Sequence, residues 1–202
     1  MTITLYELQP SPHARKVRLL AAELGIPLNK VPVDPRIGET RTPEFLKINP
    51  NGRIPVLRLE SGEHLAESSA ILWYLAEGTR FLTDDRLERA RTLQWMFFEQ
   101  YSHEPNIAVA RFLLHYARPD EPRHALLPER QRQGYAALDV MELHLKNSDY
   151  FTSGRYTIAD IALYAYTHVA DEGGFDLGRY PAIRAWLDRV REQPGHVPIT
   201  QS

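Results

Sequence analysis

Three short stretches in the first third of the chain combine residue types that suit thiol chemistry on a peptide-like ligand. Ser11 stands between Pro10 and Pro12 in a loop just ahead of a helical stripe, with Arg15, Lys16 and Arg18 close behind. A hydroxyl at a helix N-terminus can donate to a bound thiolate, and the helix dipole and nearby cations act in the same direction. A plain N-cap is the alternative role for that serine. It is a poor covalent nucleophile, because no serine here lies in a G-x-S-x-G turn. His13 in the same loop is either a base or a solvated side chain.

The second stretch is Ile54-Pro55, which follows Asn49-Pro-Asn-Gly-Arg53 and opens a strand. Proline lacks the donor a strand ladder needs, and either a cis bond or a trans proline at the strand start meets that constraint. The third is Glu67-Ser68 at the start of a helix. Free N–H groups and a partial positive charge there suit a carboxylate, while Glu67 suits an ammonium, so the pair fits a zwitterionic amino-acid end. An ordinary cap with an acidic neighbour is the alternative.

The elements that must position these residues follow from hydrophobic period. Thr2–Leu8 alternates as a strand; Val17, Leu20, Ala21 and Leu24 form a helical stripe closed by Gly25. Lys30–Val33 reads as a second strand, and Thr42-Pro43-Glu44 caps a short helix through Ile48. Ile54–Leu59 and His64–Ala66 form a hairpin around Ser61-Gly62, and Ser68 leads a helix ending at Gly78. The order β-α-β-α-β-β-α predicts a mixed sheet with helices. From Asp84 onward Leu87, Ala90, Leu93, Phe97 and Tyr101 recur at helical spacing, and Pro105 interrupts that run with a kink or break. Further stripes lie at 131–145, 157–170 and 181–190, so the second half reads as all helix, joined to the first by 78–84.

Composition narrows the chemistry. At 202 residues, one large or two small domains are open; 43% hydrophobic and 25% charged residues are those of a globular protein with a core. The absence of cysteine forbids disulfides, thiolate metal sites and a protein-thiol nucleophile, so any thiol must be borrowed. A formal charge of -2 gives no field to favour nucleic acid or an anionic membrane. No apolar run approaches the roughly 20 residues of a membrane helix, and Met1–Leu8 does not read as a secretion signal, so a soluble cytoplasmic protein is expected. The histidines show no H-E-x-x-H spacing and the glycines no phosphate-binding pattern, so no metal is expected.

Ser11-x-x-x-Arg15-x-Val17, Asn49-Pro-Asn-Gly-Arg-Ile-Pro55-Val-Leu and Glu67-Ser68-x-Ala70-Ile71, in this order ahead of a helical half, resemble the cytosolic glutathione transferases, of the bacterial, serine-using kind. Thr157-Ile-Ala-Asp160-Ile161, a capping box with a hydrophobic staple in which Tyr156 packs on Ile161, and Tyr180-Pro181 with Ile183 and Trp186 extend the resemblance over the whole chain. It implies a thioredoxin-like α/β domain over residues 1–78 that binds glutathione, and an all-α domain over 84–202 that contributes the pocket for a hydrophobic electrophile. Ser11 would donate to the glutathione sulfur, and Ile54 would pair its backbone with the cysteinyl part beside a cis Pro55. Glu67 and Ser68 would hold the γ-glutamyl end, and Arg53 would approach the glycyl side. Gln9 lies near the position where tyrosine-using members carry their tyrosine, and Tyr6 is read as core.

The resemblance also implies detoxification chemistry with glutathione as co-substrate, no metal, and a homodimer. Trp95, Phe97, Phe98, Tyr101, His103 and Arg111 lie where the electrophile pocket would be, as substrate contacts, core or dimer interface; Ser102, His103 and Arg111 are the pocket candidates. A glutathione-dependent disulfide reductase or peroxidase, or a non-enzymatic member of the same fold, are the alternatives. With little chain after the last helix, ending at Gln201-Ser202, an open pocket of broad selectivity is expected.

Overall fold

The N-terminal strand β1 (Ile3–Glu7) buries Thr4, Leu5 and Glu7 instead of alternating cleanly. The reason is its place inside the sheet, which in this computed structural model runs β2-β1-β3-β4. The structure describes residues 3–118 and 120–199; Thr2, expected to start the strand, and Gln201-Ser202 lie outside the described residues. Helix α1 (Pro12–Glu23) crosses from β1 to the parallel strand β2 (Leu28–Pro32). Helix α2 (Pro43–Ile48) starts where the Phe45 N–H donates to Thr42 Oγ1 at 3.2 Å. The antiparallel strands β3 (Val56–Arg58) and β4 (His64–Ala66) complete the sheet, and α3 (Ser68–Ala76) follows. Tyr6 is half-buried and packs on the Val33, Phe45 and Val56 cluster.

The chain divides into two units, one comprising the stretch up to Glu77 together with the segment from Pro194 on, the other Gly78–Gln193. The expected boundary near Gly78 is close to this division, but the end of the chain was expected in the helical half. It joins the first unit because α1 holds it: Arg15 Nε donates to the Val197 carbonyl at 3.0 Å and Arg15 Nη2 to His196 Nε2 at 2.9 Å.

In the second unit α4 (Arg86–Phe98) begins at Asp85, whose carboxylate accepts from the Glu88 N–H at 2.9 Å. The interruption expected at Pro105 is a single π-type turn, Glu99–His103, before α5 (Glu104–His115). Proline has no N–H to offer the carbonyl one turn earlier, and a wider turn accommodates that loss without ending the helix. Then come α6 (Leu127–Leu145), α7 (Ile158–Thr167) and α8 (Pro181–Arg191). Every residue of α7 is buried. Its first turn carries the capping box of Thr157 and Asp160, with the Thr157 N–H donating to Asp160 Oδ2 at 2.9 Å. Asp160 Oδ1 accepts from the Phe151 N–H at 3.1 Å and from Trp186 Nε1 at 3.0 Å, so one carboxylate joins a loop, α7 and α8. The Tyr156 ring meets Phe81 edge-on at 5.8 Å. Among the described residues no helix is long and apolar enough to cross a membrane.

Candidate functional site

Strand register gathers the three chemically suggestive stretches of the first unit. Tyr6 is paired with Val56 and Val56 with Ala66. The chain leaving the C-terminal end of β1, the chain entering β3 and the chain leaving β4 therefore meet at one end of the sheet. The first carries Ser11, the second Ile54-Pro55 and the third Glu67-Ser68. A hydrogen-bonding distance of 3.5 Å between Ser68 Oγ and His13 Nδ1 links the starts of α3 and α1.

Ser11 caps α1: the Ala14 N–H donates to its Oγ at 3.4 Å, and its own N–H donates to the Leu8 carbonyl at 2.9 Å. Capping uses an acceptor lone pair, so the hydroxyl proton remains available for a ligand. The two roles open for this residue are therefore compatible. The Ile54–Pro55 peptide is cis. Pro55 is buried, Ile54 half-buried and Arg53 exposed, with the Arg53 carbonyl accepting from Asn49 Nδ2 at 2.8 Å. Glu67 is exposed at φ 67°, a left-handed conformation rare for a residue with a side chain. Such backbone persists where its surroundings over-determine it, and it concentrates at ligand clamps. Ser68, the first residue of α3, is buried, and its helix presents first-turn N–H groups there.

Other expected residues lie elsewhere. Arg15, Lys16 and Arg18 were to add positive charge near Ser11; all three are buried along α1, and Arg15 and Arg18 hold the C-terminal segment. Burial pulls the Arg18 guanidinium below its usual pKa, with Glu7 opposing. In the second unit His103 is 0% exposed, with Nε2 at 2.9 Å from Thr167 Oγ1. The Thr167 hydroxyl donates to the Leu163 carbonyl, so it accepts from His103. Arg111 is buried too, pairing with Glu172 and donating to the Tyr116 hydroxyl at 3.1 Å. Both candidates for the electrophile pocket are thus interior side chains with partners inside their own unit. Ser102 is half-buried, its carbonyl accepting from Asn106 Nδ2 at 2.7 Å. Of the aromatic stripe, Phe97 and Tyr101 are exposed, whereas Trp95 packs on Phe98, His144 and Phe151.

The family model described as glutathione S-transferase, N-terminal domain, matches residues 10–77, and that for the C-terminal domain matches residues 106–194. The chain belongs to the glutathione transferase family. The disulfide-bond oxidoreductase YfcG of Escherichia coli is 35% identical over 193 residues, spanning 92% of this chain and 88% of YfcG. A crystal structure of a glutathione S-transferase from Pseudomonas fluorescens superposes at TM-score 0.96 with 51% identity, covering 98% of this chain and 99% of that one. A glutathione transferase family member from Pseudomonas fluorescens, solved with two glutathione bound, is 28% identical at TM-score 0.83, covering 96% and 90%.

Two features of this family member escaped sequence reasoning. Arg18 ties the Ser11 loop, through Gln9, to Glu7 at the end of β1 and to Ile199 near the other end of the chain. A cavity of about 500 Å³ in the second unit lies between α4 and residues 148–154, with Glu88, Trp95, His144 and Phe151 on its walls. Its lining comes from three separate stretches, which hydrophobic period does not connect.

Proposed function

We propose that this family member binds glutathione on its first unit and activates the thiol as a thiolate through a hydrogen bond from Ser11. What supports the reading is the convergence, at one end of the sheet, of a capping serine with an available proton, the cis Ile54–Pro55 peptide and the strained start of α3. Glu67 and Ser68 take the γ-glutamyl ammonium and carboxylate, the Ile54 backbone pairs with the cysteinyl part, and Arg53 faces the glycyl carboxylate. A free thiol of pKa about 8.5–9 is only a few per cent ionised at pH 7. Lowering it by about two units needs roughly 2.7 kcal/mol of preference for the thiolate, within reach of one charge-assisted hydrogen bond at a helix N-terminus. The thiolate then forms a carbon–sulfur bond with an electrophilic small molecule, which expels a leaving group or takes up the proton.

A second reading draws on the likeness to a disulfide-bond oxidoreductase and on the absence of cysteine. Here the glutathione thiolate attacks a disulfide, giving a mixed disulfide and a free thiol. A second glutathione thiolate then releases the other half and leaves as oxidised glutathione. The experiment common to both is the pH titration of bound glutathione by ultraviolet difference absorbance in the native protein and in Ser11→Ala. A native thiol titrating well below free glutathione, with reversion in the variant, is expected. Equal values in the two proteins would remove Ser11 from the mechanism, and failure to bind glutathione would favour the non-enzymatic role. Comparing turnover of a small dialkyl disulfide with that of an activated aryl halide separates the two chemistries.

A further inference from the structure

Arg18 lies inside the first unit, 4% exposed, and its guanidinium holds groups from three parts of the chain. It pairs with the Glu7 carboxylate at the end of β1. Its Nη2 donates to the Gln9 carbonyl at 2.7 Å and to the Ile199 carbonyl at 3.3 Å. Removing two opposite charges from water is expensive, and a well-packed aliphatic pair of similar volume often supports stability equally well. An aliphatic pair has no donor for the Gln9 carbonyl, and that is the contribution specific to arginine. Gln9 lies in the turn that the Ser11 N–H closes on the Leu8 carbonyl. It also precedes Pro10, which narrows its backbone freedom. Anchoring the Gln9 carbonyl therefore fixes the peptide plane from which Pro10 and Ser11 continue.

We propose that Arg18 is a positioning residue for Ser11: it holds the Gln9 carbonyl, and through it the Ser11 hydroxyl, in the place from which that hydroxyl donates to the glutathione thiolate. The Ile199 carbonyl of the C-terminal segment orients the guanidinium for this task. The inference rests on the reading of Ser11 given above. Hydrogen-bond stabilisation depends steeply on placement, and a displacement of about 1 Å can lower a rate by about a hundredfold.

The test titrates the thiol of bound glutathione in the native protein, Ser11→Ala, Arg18→Lys and Glu7→Gln. Lysine keeps a positive charge beside Glu7, but a single ammonium cannot span the carboxylate and the carbonyl as the planar fork does. Glutamine at position 7 removes the charge pair while leaving Arg18 bonded to Gln9. Arg18→Lys is expected to raise the bound thiol pKa by about one unit, reducing the thiolate fraction at pH 7 by about three- to fivefold. Glutathione affinity at pH 7 should fall by only about two- to threefold, the part that follows from the weaker preference for the thiolate, because the groups proposed to hold the γ-glutamyl and glycyl ends are untouched. Glu7→Gln is expected to lower the melting temperature and leave the thiol pKa native. If Arg18→Lys does not fold, the double variant Glu7→Leu/Arg18→Leu strands no buried charge and should show the same thiol shift. A native thiol pKa in the folded Arg18 variant, together with a raised one in Ser11→Ala, overturns the positioning role. An unshifted Ser11→Ala overturns instead the reading on which it rests.

Discussion

Ser68 separates binding from activation most cleanly, because in the proposed pose it holds the γ-glutamyl end and makes no bond to the thiol. Its hydroxyl is buried beside His13 Nδ1 at 3.5 Å, and α3 opens behind it with first-turn N–H groups. A hydrogen bond to a charged carboxylate contributes about 1.5–3 kcal/mol, or roughly ten- to a hundredfold in affinity. Ser68→Ala is accordingly expected to raise the KM for glutathione about tenfold with kcat nearly unchanged, as loss of uniform binding does. Steady-state kinetics at varied glutathione check this; a fall in kcat at constant KM would move Ser68 out of the γ-glutamyl subsite. At this scale the sequence was informative where chemistry is local. Ser11, Ile54-Pro55 and Glu67-Ser68 each sit at the border of an element, and borders are written in residue type. The basic trio after Ser11 was misleading, because the C-terminal segment that covers Arg15 and Arg18 lies far away in sequence.

At the scale of elements, legibility followed burial pattern. Strand β2 and the hairpin of β3 and β4 stood within a few residues of their expected places, as did α7 and α8. The start of α6 did not: Leu127-Pro128 begins it, ahead of the stripe expected from 131, because no residue of its first turn is buried. Gly134, in the middle of α6, looks like a mistake in a helix, where glycine is about 1 kcal/mol less favourable than alanine. Its reason is the Phe175 ring, which is buried against Tyr135 at 5.1 Å. A Cβ on Gly134 would lie 2.5 Å from two atoms of that ring, while one on Gly173 would lie 3.0 Å from its Cε2. The ring is thus confined between two glycines. Gly134→Ala should gain the helical preference and lose more through overpacking, which typically costs about 1–3 kcal/mol. A lower denaturation midpoint is expected; a higher one would show that Phe175 moves aside freely.

For the whole molecule, one fully buried carboxylate contributes a pH dependence of stability that runs opposite to the usual carboxylate case. Asp160 accepts from the N–H groups of Thr157 and Phe151, the Thr157 hydroxyl and Trp186 Nε1. Those donors favour the ionised form, but complete burial outweighs them and pushes its pKa from 3.8 up to about 6. The sign follows from linkage. Below pH 4 the group is protonated folded or unfolded, and its contribution to stability is fully present. As pH rises through the window from 3.8 to about 6 the unfolded chain ionises first, so this group's contribution is lost, by about 3 kcal/mol in total. Asp160→Asn keeps the shape, turns one acceptor into a donor facing the N–H groups around it, and does not titrate. The variant is expected to be less stable than the native chain at every pH, with a gap that is widest at pH 4 and narrows by about that amount by pH 7. Chemical denaturation of both proteins across this range measures the gap directly. A gap that stays constant would mean that the four donors hold Asp160 at its ordinary pKa, so that the capping box stabilises the helical unit as an ion bound by dipoles rather than as a carboxyl kept from water.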